Sequence, residues 1–157
     1  MAARMVLAET IANATRRMIN DQLPLTVADL ATLRPHAVAR ACTSGGAVLG
    51  AEGEAELPTD NVREMGAPAI SSNDAVGAAI ERQGRQRGAV LTPNIDELNE
   101  TIRIGFERRD LKVVHIAGLG ITDNFGICSV APADVAAVAE REPNGRDFDP
   151  PFVFCPS

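Results

Sequence analysis

The sequence predicts an α/β fold, a mainly parallel sheet covered by helices, and three observations carry that expectation. Short β-branched or apolar runs alternate with helical stretches of about 10 to 15 residues, the pattern of βαβ units. Two of those runs end in a Cys-x-Ser stop, Cys42-Thr43-Ser44 and Cys155-Pro156-Ser157. The 157 residues are 45% hydrophobic and 23% charged, enough for one ordinary core in a globular chain.

Taken in order, residues 5–20 carry Met5, Ile11, Met18 and Ile19 among polar residues and read as an amphipathic helix ending before Pro24. A second short helix runs from Thr26, capped through Asp29, to Leu33, and Arg34-Pro35 breaks it. His36 to Ala41 is a weak strand that delivers Cys42 into Thr43-Ser44-Gly45-Gly46. Those two glycines let backbone amides turn inward on an anion ahead of a helix starting at Ala47. Gly53 to Ala69, acidic and interrupted by Pro58, Gly66 and Pro68, reads as a linker.

Ser71 to Gln83 reads as a helix with Val76, Ala79 and Ile80 on one face. Gly88 resets the chain before a strand over Ala89–Thr92. In the next helix Ile95, Leu98, Ile102 and Phe106 recur at helical spacing, Asn94 and Glu97 have the separation of a capping box, and Asp96, Asn99, Arg103 and Glu107 form the polar face. Leu111 to Ile116 is a strand, Gly118-Leu119-Gly120 a turn, and Pro132 to Arg141 an Ala/Val helix. Phe152-Val153-Phe154 closes the series as an apolar strand.

A formal charge of -6 gives no basic surface for nucleic acid. No stretch has the length of a membrane span, and the Met1–Thr10 segment lacks the continuous apolar core of a signal peptide, so a cytoplasmic location is expected. Three cysteines without an export signal fit a reducing compartment, with thiols free for chemistry. Strand, Cys-x-Ser and helix start occur twice, a weak internal repeat of the kind that two similar facing lobes produce.

Four motifs agree in order: Ala41-Cys42-Thr43-Ser44-Gly45-Gly46 with Gly50; Leu91-Thr92-Pro93-Asn94 followed by Glu97-Leu98-Asn99; Gly118-Leu119-Gly120-Ile121-Thr122-Asp123-Asn124; and Phe154-Cys155-Pro156-Ser157. Together they resemble the aspartate/glutamate racemase superfamily, in the branch of maleate cis-trans isomerase and arylmalonate decarboxylase. The resemblance covers about Pro35 to Ser157. It implies Rossmann-like parallel sheets with flanking helices in two pseudo-symmetric lobes, residues 1–66 forming a partial first lobe and 67–157 the second. It also implies a small dicarboxylate or acidic amino acid in the cleft, with no metal and no organic cofactor. Cys42 and Cys155 match the family's two catalytic cysteines, one on each face of the substrate. Thr43, Ser44, Thr92, Pro93, Asn94 and Pro156 fall where the family binds substrate carboxylates.

Retention of both cysteines favours isomerisation or racemisation, because the similar decarboxylases carry glycine at the first position. Two departures stand out. Asn94 replaces the family's Tyr after Thr-Pro, and the family's opening strand with its Asn-bearing loop, like the helix after its second cysteine, has no counterpart. The expectation is therefore a family core with an incomplete first lobe, which points to homo-oligomerisation or domain swapping to pair the open sheet.

The chemistry and its plainer alternatives are clear at each residue. A thiolate adds to the electron-poor alkene of maleate and leaves after rotation, or removes the α-proton of an acidic amino acid while the opposite thiol returns one. Thiolates form readily at helix starts and amide nests. The alternative for Cys42 is a buried apolar residue, and for Cys155 a terminal residue without a role. For Thr43, Ser44 and Thr92–Asn94 it is helix capping. Cys128 is expected in the core, and His36 and His115 lack metal-ligand spacing. A chain that binds carboxylates without turnover is the alternative from outside the enzymes.

Overall fold

The computed structural model describes residues 2–50, 53 and 65–141, and the backbone of 152–153. It is an α/β fold of parallel strands and flanking helices, as the sequence predicts. The elements are α1 (Ala12–Ala31), β1 (Val38–Arg40), α2 (residues 43–50), β2 (Ala69–Ser71), α3 (Ser72–Arg82), β3 (Arg87–Thr92), α4 (Asp96–Glu107), β4 (Lys112–Gly118), α5 (Asn124–Cys128), α6 (Pro132–Arg141) and β5 (Phe152–Val153). β1 and β2 form one parallel pair, and β4, β3 and β5 form a second parallel sheet in that order. None of the described helices is long and apolar enough to cross a membrane.

The first helix differs most from expectation. Residues 6–10 are irregular and pinned on both sides: Gln22 exchanges two hydrogen bonds with the Val6 backbone, and Thr10 N–H donates to Thr122 O at 2.7 Å. Asn124 N–H donates in turn to Ala8 O at 2.9 Å, and Glu9 bridges Asp123 antiparallel. The helix therefore starts at Ala12 instead of residue 5. It then runs through Pro24 and absorbs the second predicted helix. Its buried side chains, Thr15, Met18, Ile19, Leu23 and Val27, continue on one stripe across the proline, and their packing outweighs the lost backbone hydrogen bond. Thr26 caps nothing; its hydroxyl donates back to Gln22 O. Pro24 is exposed, so Pro24→Ala restores a helical hydrogen bond at no packing cost. The variant is expected to be more stable by about 1–2 kcal/mol, read by chemical denaturation.

Two cores lie on either side of α2. The α1 stripe packs with Met65 and Ala67, against which Val38, Cys42 and Leu49 lie half-buried. Ala47, on the other face of α2, joins Ile80, Val90, Ile102, Phe106, Leu111 and Val113. The second cluster takes in Ile102 and Phe106 of the α4 stripe read from the sequence, closed onto the sheet, and each large side chain buried there stabilises the fold by roughly 1.5–3 kcal/mol. Asn99 is a correction, since it is buried, not on the polar face. Ala79 also lies exposed, and Gly77 takes its place on the inner face of α3. β2, read as the end of the linker and the start of the next helix, supplies the partner of β1. Gly88 lies inside β3 at a register shift against β4 instead of preceding the strand.

Candidate active site

β1 ends at Arg40, and two residues later the chain turns into α2. Gly46 N–H donates to Cys42 O at 3.4 Å, the first helical hydrogen bond, so Cys42 occupies the capping position and the glycines fall within the first turn. The expected double-glycine nest ahead of the helix is corrected by this. The free amides of a helix start replace it, and they favour negative charge at the same place.

The surroundings of Cys42 are built from several elements. Its Sγ lies 3.8 Å from Ser44 Oγ, within sulfur hydrogen-bond range. Two side chains at the start of α3 clamp the backbone on both sides of the cysteine: Ser72 Oγ donates to Arg40 O at 3.3 Å, and Asn73 Nδ2 donates to Thr43 O at 3.2 Å. A Cβ on Gly45 would sit 3.0 Å from Cys42 Sγ and 3.3 Å from Arg40 Nη1. Glycine at this position therefore spares both the thiol and the guanidinium a tight contact. Thr43 Oγ1 is buried without a hydrogen-bond partner.

Cys42, Thr43 and Ser44 line a cavity of about 720 Å³ together with Arg4, Thr10, Arg40, Asn124 and Cys128. Apolar side chains of α1 and β1 supply much of the remaining wall. Among its described wall residues are two arginines and no carboxylate, although the chain as a whole carries a charge of -6. Cys128 is a correction: it is exposed at the end of α5, on the wall of the Cys42 cavity, and not in the core. A short helix capped by Asp123, whose carboxylate accepts from Gly126 N–H at 2.6 Å, carries it there.

Thr92, Pro93 and Asn94 form a second group, buried at the carboxyl end of β3. Thr92 Oγ1 donates to Asn99 Oδ1 at 2.5 Å and accepts from Asn94 N–H at 3.1 Å. Backbone N–H groups of Leu119, Gly120 and Ile121 donate to Thr92, Asn94 and Pro93 carbonyls. The expected capping box does not form, because Ile95 precedes α4 without a side-chain cap. The Asn94 side chain is fully buried, and neither its Nδ2 nor its Oδ1 has a partner. An amide buried in that way is costly, about 1–3 kcal/mol for each unsatisfied group.

The structure thus brings Cys42, Thr43 and Ser44 into one cavity, while Thr92–Asn94 are not among its walls. The chain over 118–124 links the two groups: residues 119–121 hold Thr92–Asn94, and Thr122 and Asn124 hold the segment before α1. Cys155 and Pro156 lie outside the described residues. Arg40, Asn73 and Thr10 were not singled out from the sequence, and Asn124 was read only as the end of the third motif, with no role at the site. Of these only Asn124 had a local signal, the Asp123-x-x-Gly126 start of a capped helix. His36 is exposed before β1, and no cluster of three His, Cys, Asp or Glu able to hold a metal occurs among the described residues.

The sequence profile of the arylmalonate decarboxylase family matches residues 2–154. This chain belongs to that family. Its fold is that of three solved structures at 20–21% identity. The maleate cis-trans isomerase of Nocardia farcinica, bound to TRIS, superposes with a TM-score of 0.87, at 21% identity over 95% of this chain and 62% of that one. An arylmalonate decarboxylase double mutant in its liganded form gives 0.86 at 21% identity over 95% and 63%. The maleate isomerase of Pseudomonas putida gives 0.84 at 20% identity over 90% and 58%. This member of the family spans about three fifths of the length of those chains. No curated protein is similar enough in sequence to count as a match. The assignment agrees with the racemase-superfamily branch that the four motifs resemble.

Proposed function

We propose that this chain is a cofactor-independent isomerase of a small dicarboxylate, like the maleate cis-trans isomerases, with Cys42 as its thiol nucleophile. The observation that carries the reading is the Cys42 thiol at the start of α2, in a cavity with two arginines and no described carboxylate. Such a site attracts an acid. In the Nocardia farcinica enzyme, a cysteine-to-serine mutant holds a covalently bound succinylcysteine intermediate. That precedent gives the chemistry a concrete form.

The Cys42 thiolate adds to one alkene carbon of maleate, and the electron pair moves to the neighbouring carbon, stabilised by its carboxylate. Protonation there yields a succinyl thioether with a single bond between the two carbons. Rotation, loss of the same proton and departure of the thiolate give fumarate. Thr43 and Ser44, through hydroxyls and amides at the start of α2, bind one carboxylate. Thr92, Pro93, Asn94 and Pro156 bind the other, and the buried unpaired amide of Asn94 supports that role because a carboxylate would supply its missing partner. Cys155 is the second thiol, on the opposite face. β5 runs parallel to β3 with Leu91 beside Val153, so the chain leaves β5 at the same end of the sheet as Thr92. In this reading residues 1–66 and 67–157 make up the two lobes, with β2 reaching back from the second segment to pair with β1.

Proton NMR of the purified chain with maleate, aspartate and glutamate in deuterated buffer tests the reading. Fumarate forms from maleate if it holds. Loss of the α-proton signal of an amino acid, with maleate unchanged, moves the chain to the racemases. No change with any of the three, from folded protein, leaves a carboxylate-binding chain without turnover.

A further inference from the structure

A second cavity, of about 560 Å³, shares no described wall residue with the cavity at Cys42. It lies among α1, α2, α3 and α4, on the far side of α2. Three guanidinium groups, those of Arg16, Arg108 and Arg109, reach its wall against the single carboxylate of Asp74. Asp74 is engaged by Arg109, and Gly77 makes room for that arginine, since a Cβ there would collide with its side chain. Arg16 and Arg108 form no ion pair among the described residues. Ile102, Ile104 and Phe106 give the remaining wall an apolar surface. In a chain of net charge -6, that combination is a local site for an anion with an apolar body.

Two features of the wall are unexplained by the packing of the protein itself. Gly105 sits inside α4, where glycine is less favourable than alanine, yet an added Cβ would meet nothing within 4 Å. Its absence keeps space open in the cavity. Asn73 donates from Nδ2 to Thr43 O, while its Oδ1 is buried with no partner. A buried acceptor in a cavity wall is completed by a donor from whatever fills the cavity.

We propose that this second cavity binds an amphipathic organic anion carrying a hydrogen-bond donor. Arg16 and Arg108 hold the anion, the α4 surface around Gly105 takes the apolar body, and Asn73 Oδ1 receives the donor. Because Asn73 also clamps the carbonyl of Thr43, occupancy here bears on the start of α2 and on the placement of Cys42. The site stands independently of the reaction at Cys42.

Titration of the isotopically labelled chain with 4-hydroxybenzoate, followed by amide NMR, tests the site. Saturable shifts are expected at Gly46, Gly50, Gly105 and the Asn73 side chain. Binding is expected to weaken roughly tenfold in the Arg16→Glu/Arg108→Glu double variant and for the neutral 4-hydroxybenzamide. Gly105→Leu, with its β3 and β4 amides unmoved as proof of folding, is expected to lose the shifts. If that variant does not fold, the arginine pair decides. The proposal is overturned by shifts confined to Cys42–Ser44, by no saturable shift at all, or by equal affinity in the wild type and the arginine variant.

Discussion

If the proposed reaction is the chain's own, Cys42→Ala is expected to lower turnover of the proposed dicarboxylate substrate by roughly three orders of magnitude or more, with the fold intact. The fold survives because the thiol is only half-buried, and alanine keeps the backbone bond from Gly46 N–H to the residue-42 carbonyl. The chemistry does not, because no other group at the start of α2 can form the carbon–sulfur bond. Cys128→Ala is the informative contrast. Its thiol lies exposed on the wall of the same cavity, so loss of no more than a few-fold is expected. Initial rates of both variants, with circular dichroism as the check on folding, make the comparison. Equal losses in the two would remove Cys42 from its special place.

Gly118→Ala is expected to be the most damaging small change at the second group of site residues. A Cβ there would overlap the carbonyl oxygen of Asn94 and the Nδ2 of Asn99. Neither can yield cheaply. The Asn94 carbonyl accepts from Gly120 N–H, and Asn99 is locked to Thr92 through the short bond at 2.5 Å. Relief requires β3 and β4 to part at their carboxyl ends, where Thr92 pairs with Gly118. Overpacking of that kind costs about 1–3 kcal/mol or more. A melting temperature lower by roughly 5–10 °C is the expected reading. An unchanged melting temperature would show that the Thr92–Asn94 turn is less tightly held than its hydrogen bonds imply.

How far the sequence was legible depends on whether the deciding force was local. α4 and α6 were visible because the apolar spacing of Leu98, Ile102 and Phe106, and the Pro132 start, act within a few residues. The start of α3 at Ser71 was readable for the same reason: Ser71 Oγ accepts from Asp74 N–H at 3.0 Å. The first helix was misjudged because the rule about Pro24 is local, whereas the stripe from Met18 to Val27 answers to Met65 and Ala67 far along the chain. β2 has three residues, and among the described strands it pairs with β1 alone. Nothing in Ala69–Ser71 announces that partner.

The site divides along the same line. Cys42-Thr43-Ser44 could be read as a motif, since strand end and helix start adjoin. Asn94 looked like a cap, and Asn99 like a solvated residue, because both carry ordinary helix-terminus or polar-face patterns. Their burial comes from the turn at Gly118–Ile121, some two dozen residues on. Arg40, Asn73, Thr10 and Asn124 reach the neighbourhood of Cys42 from four different segments, and no spacing rule connects them.

The most direct measurement of the central claim is to incubate the Cys155→Ser variant with maleate, quench, and map the peptides by mass spectrometry. The expected result is a succinyl group on Cys42 and none on Cys128. Unmodified Cys42 in folded protein, or a succinyl group on Cys128 alone, would contradict the account.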